Sequence, residues 1–130
     1  MTRRVAILIC LLISPLESSS PSHNAPARQA TEPRIIEVVA RRYMFEPAQI
    51  EVTQGETIRI VLTTGDGLHG FEIKKFKISK EVPRGSAPIA IDFTADEAGR
   101  FPILCSAFCG DGHENMKGML VVQAREKTEG

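Results

Sequence analysis

The sequence predicts a single all-β domain, a Greek-key β-sandwich. From Arg34 onward, short apolar runs rich in Val and Ile recur at regular spacing. Gly- and Pro-containing turns separate them, and no stretch repeats its apolar residues at the helical period. The chain has 130 residues, enough for one domain, and at 42% hydrophobic and 25% charged its composition is that of an ordinary globular protein. Formal net charge is zero, so there is no electrostatic case for nucleic acid as a partner. The balance is uneven: Arg outnumbers acid up to Arg42, and acid outnumbers Lys and Arg beyond it. The folded part is therefore mildly acidic, which is compatible with a basic partner.

The chain opens on Arg3 and Arg4, followed by an apolar core from Val5 to Leu16 that contains Pro15. A membrane-spanning helix needs about 20 apolar residues. The core is too short for one, so residues 1–27 read as a secretory signal or an N-terminal anchor, which places the protein in the periplasm or otherwise outside the cytoplasm. Cys10 lies inside the apolar core behind Ile9 and is not read as a lipidation site. Residues 28–33 continue a Ser-, Pro- and Ala-rich linker, and the lone His23 before them is assigned no role.

The domain is expected over 34–124, with a charged tail over 125–130. Ile35–Val39 is the first predicted strand; Tyr43–Pro47 follows, with Pro47 at a strand edge or bend. Ile50–Val52 leads into a turn at Gln54-Gly55, and Thr57–Thr63 points Ile58, Ile60 and Leu62 inward. Thr64–Gly67 is a turn cluster before the extended run Leu68–Ile73. The piece carrying Lys74, Lys75, Lys77 and Lys80 reads as a solvated edge. Pro83–Gly85 turns, Ala87–Thr94 alternates Ile89, Ile91 and Phe93, and Ala98-Gly99 turns again. Arg100–Leu104 runs into Cys105, and Gly118–Gln123 closes the fold, making seven or eight strands paired antiparallel. Met44, Met119 and the phenylalanines at 45, 71, 93 and 101 are the core candidates.

The chemistry lies in one loop. Cys105, Cys109, His113 and Met116 fall at spacings C-x3-C-x3-H-x2-M. Thiolate, imidazole and thioether together suit copper, whereas a thioether is a poor zinc ligand. Gly110 and Gly112 allow the loop to curl back on itself. A thiolate can bridge two metal ions, so two cysteines can form the edges of a compact two-copper rhomb. Each copper then needs one further strong ligand and one weak one. His113 serves one metal and Met116 gives a thioether to the other, which leaves one imidazole to be found. His69, in Gly67-Leu-His-Gly70, is the available one. Two other readings stay open: a mononuclear blue-copper site from Cys109, His113, His69 and Met116, and a plain Cys105–Cys109 disulfide.

These residues resemble the binuclear CuA type of cupredoxin, and above all the copper domain of cytochrome c oxidase subunit II; the CuA domain of nitrous oxide reductase is a more distant likeness. The likeness covers about residues 43–124. It rests on Phe45-Glu-Pro47, Ile50-Glu-Val52, Gln54-Gly55-Glu56, His69-Gly-Phe71, Cys105 to Met116 and the closing strand. The resemblance implies Cys105 and Cys109 as bridging thiolates, His69 and His113 as terminal imidazoles, and Met116 and the backbone carbonyl of Ala107 as weak axial ligands to two copper ions. It also implies a redox partner such as a c-type cytochrome or a terminal oxidase. The chain departs from many subunits II in carrying Ala107 where they carry Glu. It also has no Trp and no clear spanning helix. Phe108 is expected to shield the site or offer an apolar contact, with Asp111 and Glu114 as solvated charge or a docking rim.

The expected function is one-electron transfer rather than catalysis, because this ligand set fills both metals and leaves no open coordination position. The alternatives are a copper-handling protein, chaperone or buffer, and a mononuclear blue-copper carrier.

Overall fold

The computed structural model describes residues 31–127, so the expected signal or anchor lies outside the described residues. Among the described residues nine strands form two sheets. The first contains β2 (Met44–Glu46), β1 (Arg34–Arg41), β4 (Thr57–Thr64) and β7 (Ile89–Thr94), in that spatial order. The second runs β3 (Gln49–Thr53), β9 (Lys117–Gln123), β8 (Gly99–Leu104), β5 (His69–Ile73) and β6 (Ile78–Val82). The fold class is the two-sheet β-sandwich that the alternating apolar runs imply.

The core is the set of inward-facing residues from both sheets. Ile58, Ile60 and Leu62 of β4 are fully buried, as their alternation predicts, and meet Phe71, Ile73, Ile103 and Leu120 from the other sheet within one apolar cluster. Phe45 and Phe71 stack edge to face with centroids 5.6 Å apart, a geometry that contributes about 0.5–1.5 kcal/mol beyond area burial. Phe93 and Phe101 are half-buried around Phe76 at the core margin.

Three features differ from the sequence expectation. Two strand pairs are parallel, β1 with β4 and β3 with β9, so the sheets are mixed rather than antiparallel. Each parallel pair joins strands separated by a chain crossing between layers, which alternation alone cannot reveal. The lysine-rich piece is a 3-10 turn over Lys74–Phe76 followed by the edge strand β6, anchored by Ile78 and Val82 at its two ends. Its three central residues face solvent, which hides the strand behind a polar sequence. Met44 is exposed rather than core, because in the three-residue β2 only Phe45 faces inward.

Topology places several chain reversals at one end of the sandwich. β5 begins there, β8 ends there, β9 begins there, and the β1–β2 corner at Arg42 and Tyr43 closes over them.

Candidate metal centre

β8 delivers Cys105 immediately after Leu104, and β5 starts at His69. The two strands pair at Glu72 opposite Leu104. Continued beyond Leu104, that register brings Gly70 against Ser106. A side chain at Gly70 would strike Ser106 and the Ala107 backbone nitrogen, so this close approach requires glycine. The proximity is what brings an imidazole from one segment to the thiols of another.

The loop then folds as its glycines allow. Gly110 adopts φ +132°, a backbone conformation unfavourable for other residues, and a 3-10 turn over His113–Asn115 follows. The ring of Tyr43 occupies the space that side chains at Gly110 and Gly112 would need. Met116 ends the turn, with its N–H donating to the His113 carbonyl.

The sequence-predicted residues converge. Cys105 and Cys109 are buried free thiols with Sγ atoms 3.5 Å apart. That is far beyond the 2.03–2.05 Å of an S–S bond, so the thiols are not joined. The Cys109 Sγ lies 3.7 Å from His113 Nδ1 and 3.8 Å from Met116 Sδ. The Cys105 Sγ lies 3.1 Å from the Ala107 carbonyl oxygen and accepts a long contact from the Gly70 N–H at 3.5 Å. Donor atoms of His69, Cys105 and Cys109 all fall within 4.8 Å of one another.

His69 carries the clearest sign of a missing partner. Its side chain is fully buried, and its Nε2 is 2.7 Å from Asp66 Oδ1. Its Nδ1 is buried without any hydrogen-bond partner among the described residues. A buried polar atom left unpaired costs about 1–3 kcal/mol, and a metal beside the two thiols would satisfy it. Burial, then the Cys105 thiol, push the Cys109 thiol up to about 11. Without metal, Cys109 therefore keeps its proton, which metal binding would displace. A donor set of two thiols, two imidazoles, a thioether and a carbonyl fits a soft or borderline metal, and copper satisfies all of these donors together.

Two residues assigned no role from the sequence hold this arrangement. Asp66 sits three residues before His69; the Arg42 N–H, then the His69 ring, hold its carboxyl below the usual carboxylate range. Arg42 also donates from Nε to the Cys109 carbonyl at 2.9 Å. The Asp-x-x-His spacing was a visible signal for Asp66, masked by its place in a turn cluster. Nothing local distinguishes Arg42 from its neighbour Arg41. Phe108 is 73% exposed beside His113, with ring centroids 5.7 Å apart, so it presents an apolar face outward rather than covering the site. Asp111 and Glu114 are exposed on the same loop.

A β-sandwich with soft donors gathered at one end, from a strand start and an adjoining loop, defines a metal-binding sandwich. A family model described as a cupredoxin-like domain matches residues 5–122, and the chain belongs to that family. It is 36% identical over 86 residues to cytochrome c oxidase subunit 2 of Thermus thermophilus, covering 66% of this chain and 63% of the relative. It is also 39% identical over 72 residues to the copper-resistant cuproprotein CopI of Pseudomonas aeruginosa, covering 52% of this chain and 40% of the relative. The solved periplasmic domain of subunit II of the cytochrome oxidase of Bradyrhizobium japonicum superposes with TM-score 0.64 at 18% identity. That match covers 70% of this chain and 84% of the other. The chain is thus a cupredoxin domain similar to that of subunit II, and it spans 63% and 51% of the length of two Thermus thermophilus relatives.

Proposed function

We propose that this protein transfers single electrons outside the cytoplasm through a binuclear copper centre of the CuA type. Cys105, Cys109, His69 and His113 would hold the two ions as the strong donors, with Met116 and the carbonyl of Ala107 as the weak ones. The observation that carries this reading is the pair of buried, unjoined thiols 3.5 Å apart, with the unpartnered His69 Nδ1 beside them. One blue-copper ion would use a single thiolate and leave the second buried thiol without a role. When bound, the copper pair supplies a one-electron couple. The chain's own residues supply the rest: two segments, the start of β5 and the 105–116 loop, fix the donors, and burial keeps bulk water from His69, Cys105, Cys109 and Met116.

The electron partner is a c-type cytochrome or a terminal oxidase to which this chain is an accessory subunit, in keeping with the likeness to subunit II. No open coordination position is left for a substrate, so the chain is a carrier rather than a catalyst. Exposed Phe108 against His113, Tyr43 over Gly110 and Gly112, and Leu68 next to His69 form the face through which electrons pass. Residues 1–27 direct export or anchor the chain; among the described residues no helix is long and apolar enough to cross a membrane.

A second reading, a copper-handling protein, is favoured by the similarity to the copper-resistant cuproprotein. One experiment separates the two. The protein is loaded with copper, and its EPR spectrum is recorded with the metal-to-protein ratio. Two equivalent coppers sharing one unpaired electron give a seven-line hyperfine pattern, and a single copper gives four. Seven lines at two coppers per chain, retained against a chelator, support the carrier. One readily exchanged Cu(I) per chain supports copper handling and refutes the carrier.

A further inference from the structure

The β1–β2 corner makes contacts that the ligand set does not require. The Arg42 backbone N–H donates to Asp66 Oδ2 at 2.8 Å, while Asp66 Oδ1 holds His69 Nε2 at 2.7 Å. The Arg42 guanidinium reaches the other side of the site and donates to the Cys109 carbonyl at 2.9 Å. One residue therefore touches the supports of both ligand-bearing segments, which lie far apart in sequence. The neighbouring Tyr43 ring fills the space above Gly110 and Gly112, so the corner lies across the loop as a clasp.

We propose that Arg42 is a positioning residue for the metal centre. It fixes the Asp66 carboxylate that orients His69, and it holds the Cys109 segment with its guanidinium. The inference rests on the copper reading above but concerns residues outside the ligand set. An Nε2–H donated to Asp66 leaves Nδ1 bare and aimed as a ligand, as carboxylate–histidine pairs do at metal sites. Arg42 acts on the thiolate side through a charged donor, which is stronger than a neutral one.

Arg42 and Asp66 also place opposite charges beside the centre. The reduced centre carries one positive charge fewer than the oxidised one. A nearby cation therefore favours the reduced form and a nearby anion favours the oxidised form. Removing the guanidinium charge lowers the reduction potential, and neutralising Asp66 raises it. Simple loosening of the loop has no such antisymmetry and would move both variants in the same direction.

The test uses the full chain, copper-loaded, as the parent and as R42Q, R42K and D66N, with potentials from redox titration and copper ratios from the same samples. The expected result is a lower potential in R42Q, a higher one in D66N, and a value close to the parent in R42K. Shifts of the same sign in R42Q and D66N, or none in either, overturn the proposal. Loss of copper by a folded R42Q that R42K restores supports it, and loss from both overturns the charge argument. If the parent itself takes up no copper, the copper reading fails, and the clasp is judged in the metal-free protein. Amide exchange over 110–113 should then be about tenfold faster in R42Q than in the parent; unchanged exchange overturns the clasp.

Discussion

Replacing Gly70 with Ala should damage the site and the fold together, and the structure fixes how. Gly70 needs no left-handed backbone; what it needs is space. An added Cβ would lie 2.5 Å from the Ser106 nitrogen, where ordinary contact begins at 3.4 Å. The two segments must therefore part by close to an ångström. The obstructing atoms include backbone, which cannot swing aside as the end of a flexible side chain would. Overpacking of this kind costs typically 1–3 kcal/mol. Taking about 2 kcal/mol for the metal-free protein, Tm falls by about 8–16 °C in a domain of this size.

A control isolates the packing effect. Gly85 has φ +74° and, among the described residues, nothing within 4 Å of an added Cβ, so G85A carries backbone strain without a clash. It should lose about 1 kcal/mol and leave copper uptake unchanged. G70A also separates His69 from Cys105, so it should take up less copper than the parent and lose the equal sharing between two ions. Thermal unfolding of the metal-free proteins gives the stability, and EPR of the loaded proteins gives the site. A G70A protein within about 0.5 kcal/mol of the parent, with an unaltered spectrum, would show that contact between β5 and the 105–107 segment does not build the centre.

Three further outcomes follow from individual residues. Met116 is 1% exposed and its sulfur lies 3.8 Å from Cys109 Sγ; Met116→Leu keeps the volume, so it should cost less than about 1.5 kcal/mol. It should also leave two coppers bound and shift the reduction potential, as a redox titration would detect. In the metal-free protein the Cys109 thiol is raised from 9.0 to about 11. The folded state thus keeps this proton to higher pH than the unfolded chain. Stability from this group is complete below pH 9 and declines as pH rises towards about 11, which denaturant midpoints at pH 8, 9.5 and 11 would follow. Phe108→Ala removes a ring that is 73% exposed, so stability should change by no more than about 0.5 kcal/mol. The EPR spectrum should stay as in the parent, and stopped-flow electron exchange with a c-type cytochrome should slow.

The sequence exposes some parts of this molecule better than others, for physical reasons. β4 is legible because a strand between two neighbours, with one face in the core, must alternate, and Ile58, Ile60 and Leu62 do so. β6 is hidden because an edge strand needs only its end residues buried and here fills the rest with Ser79, Lys80 and Glu81. Met44 looks apolar enough for the core, but β2 is three residues long and the pleat spends its one inward position on Phe45. The parallel pairings arise from chain crossings between layers, and no local pattern encodes them. In the site, ligand candidates stand out because thiols, imidazoles and thioethers are scarce and chemically particular. Arg42 and Asp66 do not, since arginine and aspartate are ordinary on surfaces and acquire meaning only from what they touch.

That division bears on how the centre is held. The ligand loop carries Cys105, Cys109, His113 and Met116 within twelve residues, so a flexible loop alone could wrap a metal with most of the donors. His69 changes the problem, because it comes from a separate strand start and is fixed before any metal arrives by burial and by Asp66. Gly70 sets the distance between the two segments, and Arg42 and Tyr43 limit how far the loop can move away. A protein that must release copper gains nothing from such restraint, since each fixed donor raises the barrier to exchange. A protein that must pass electrons gains directly: donors that are already in place need little rearrangement when the charge of the centre changes. The restraints lie mainly on the side chains and backbone around the ligands, so the carrier reading is best tested by substitutions in that surrounding layer as well as in the ligands themselves.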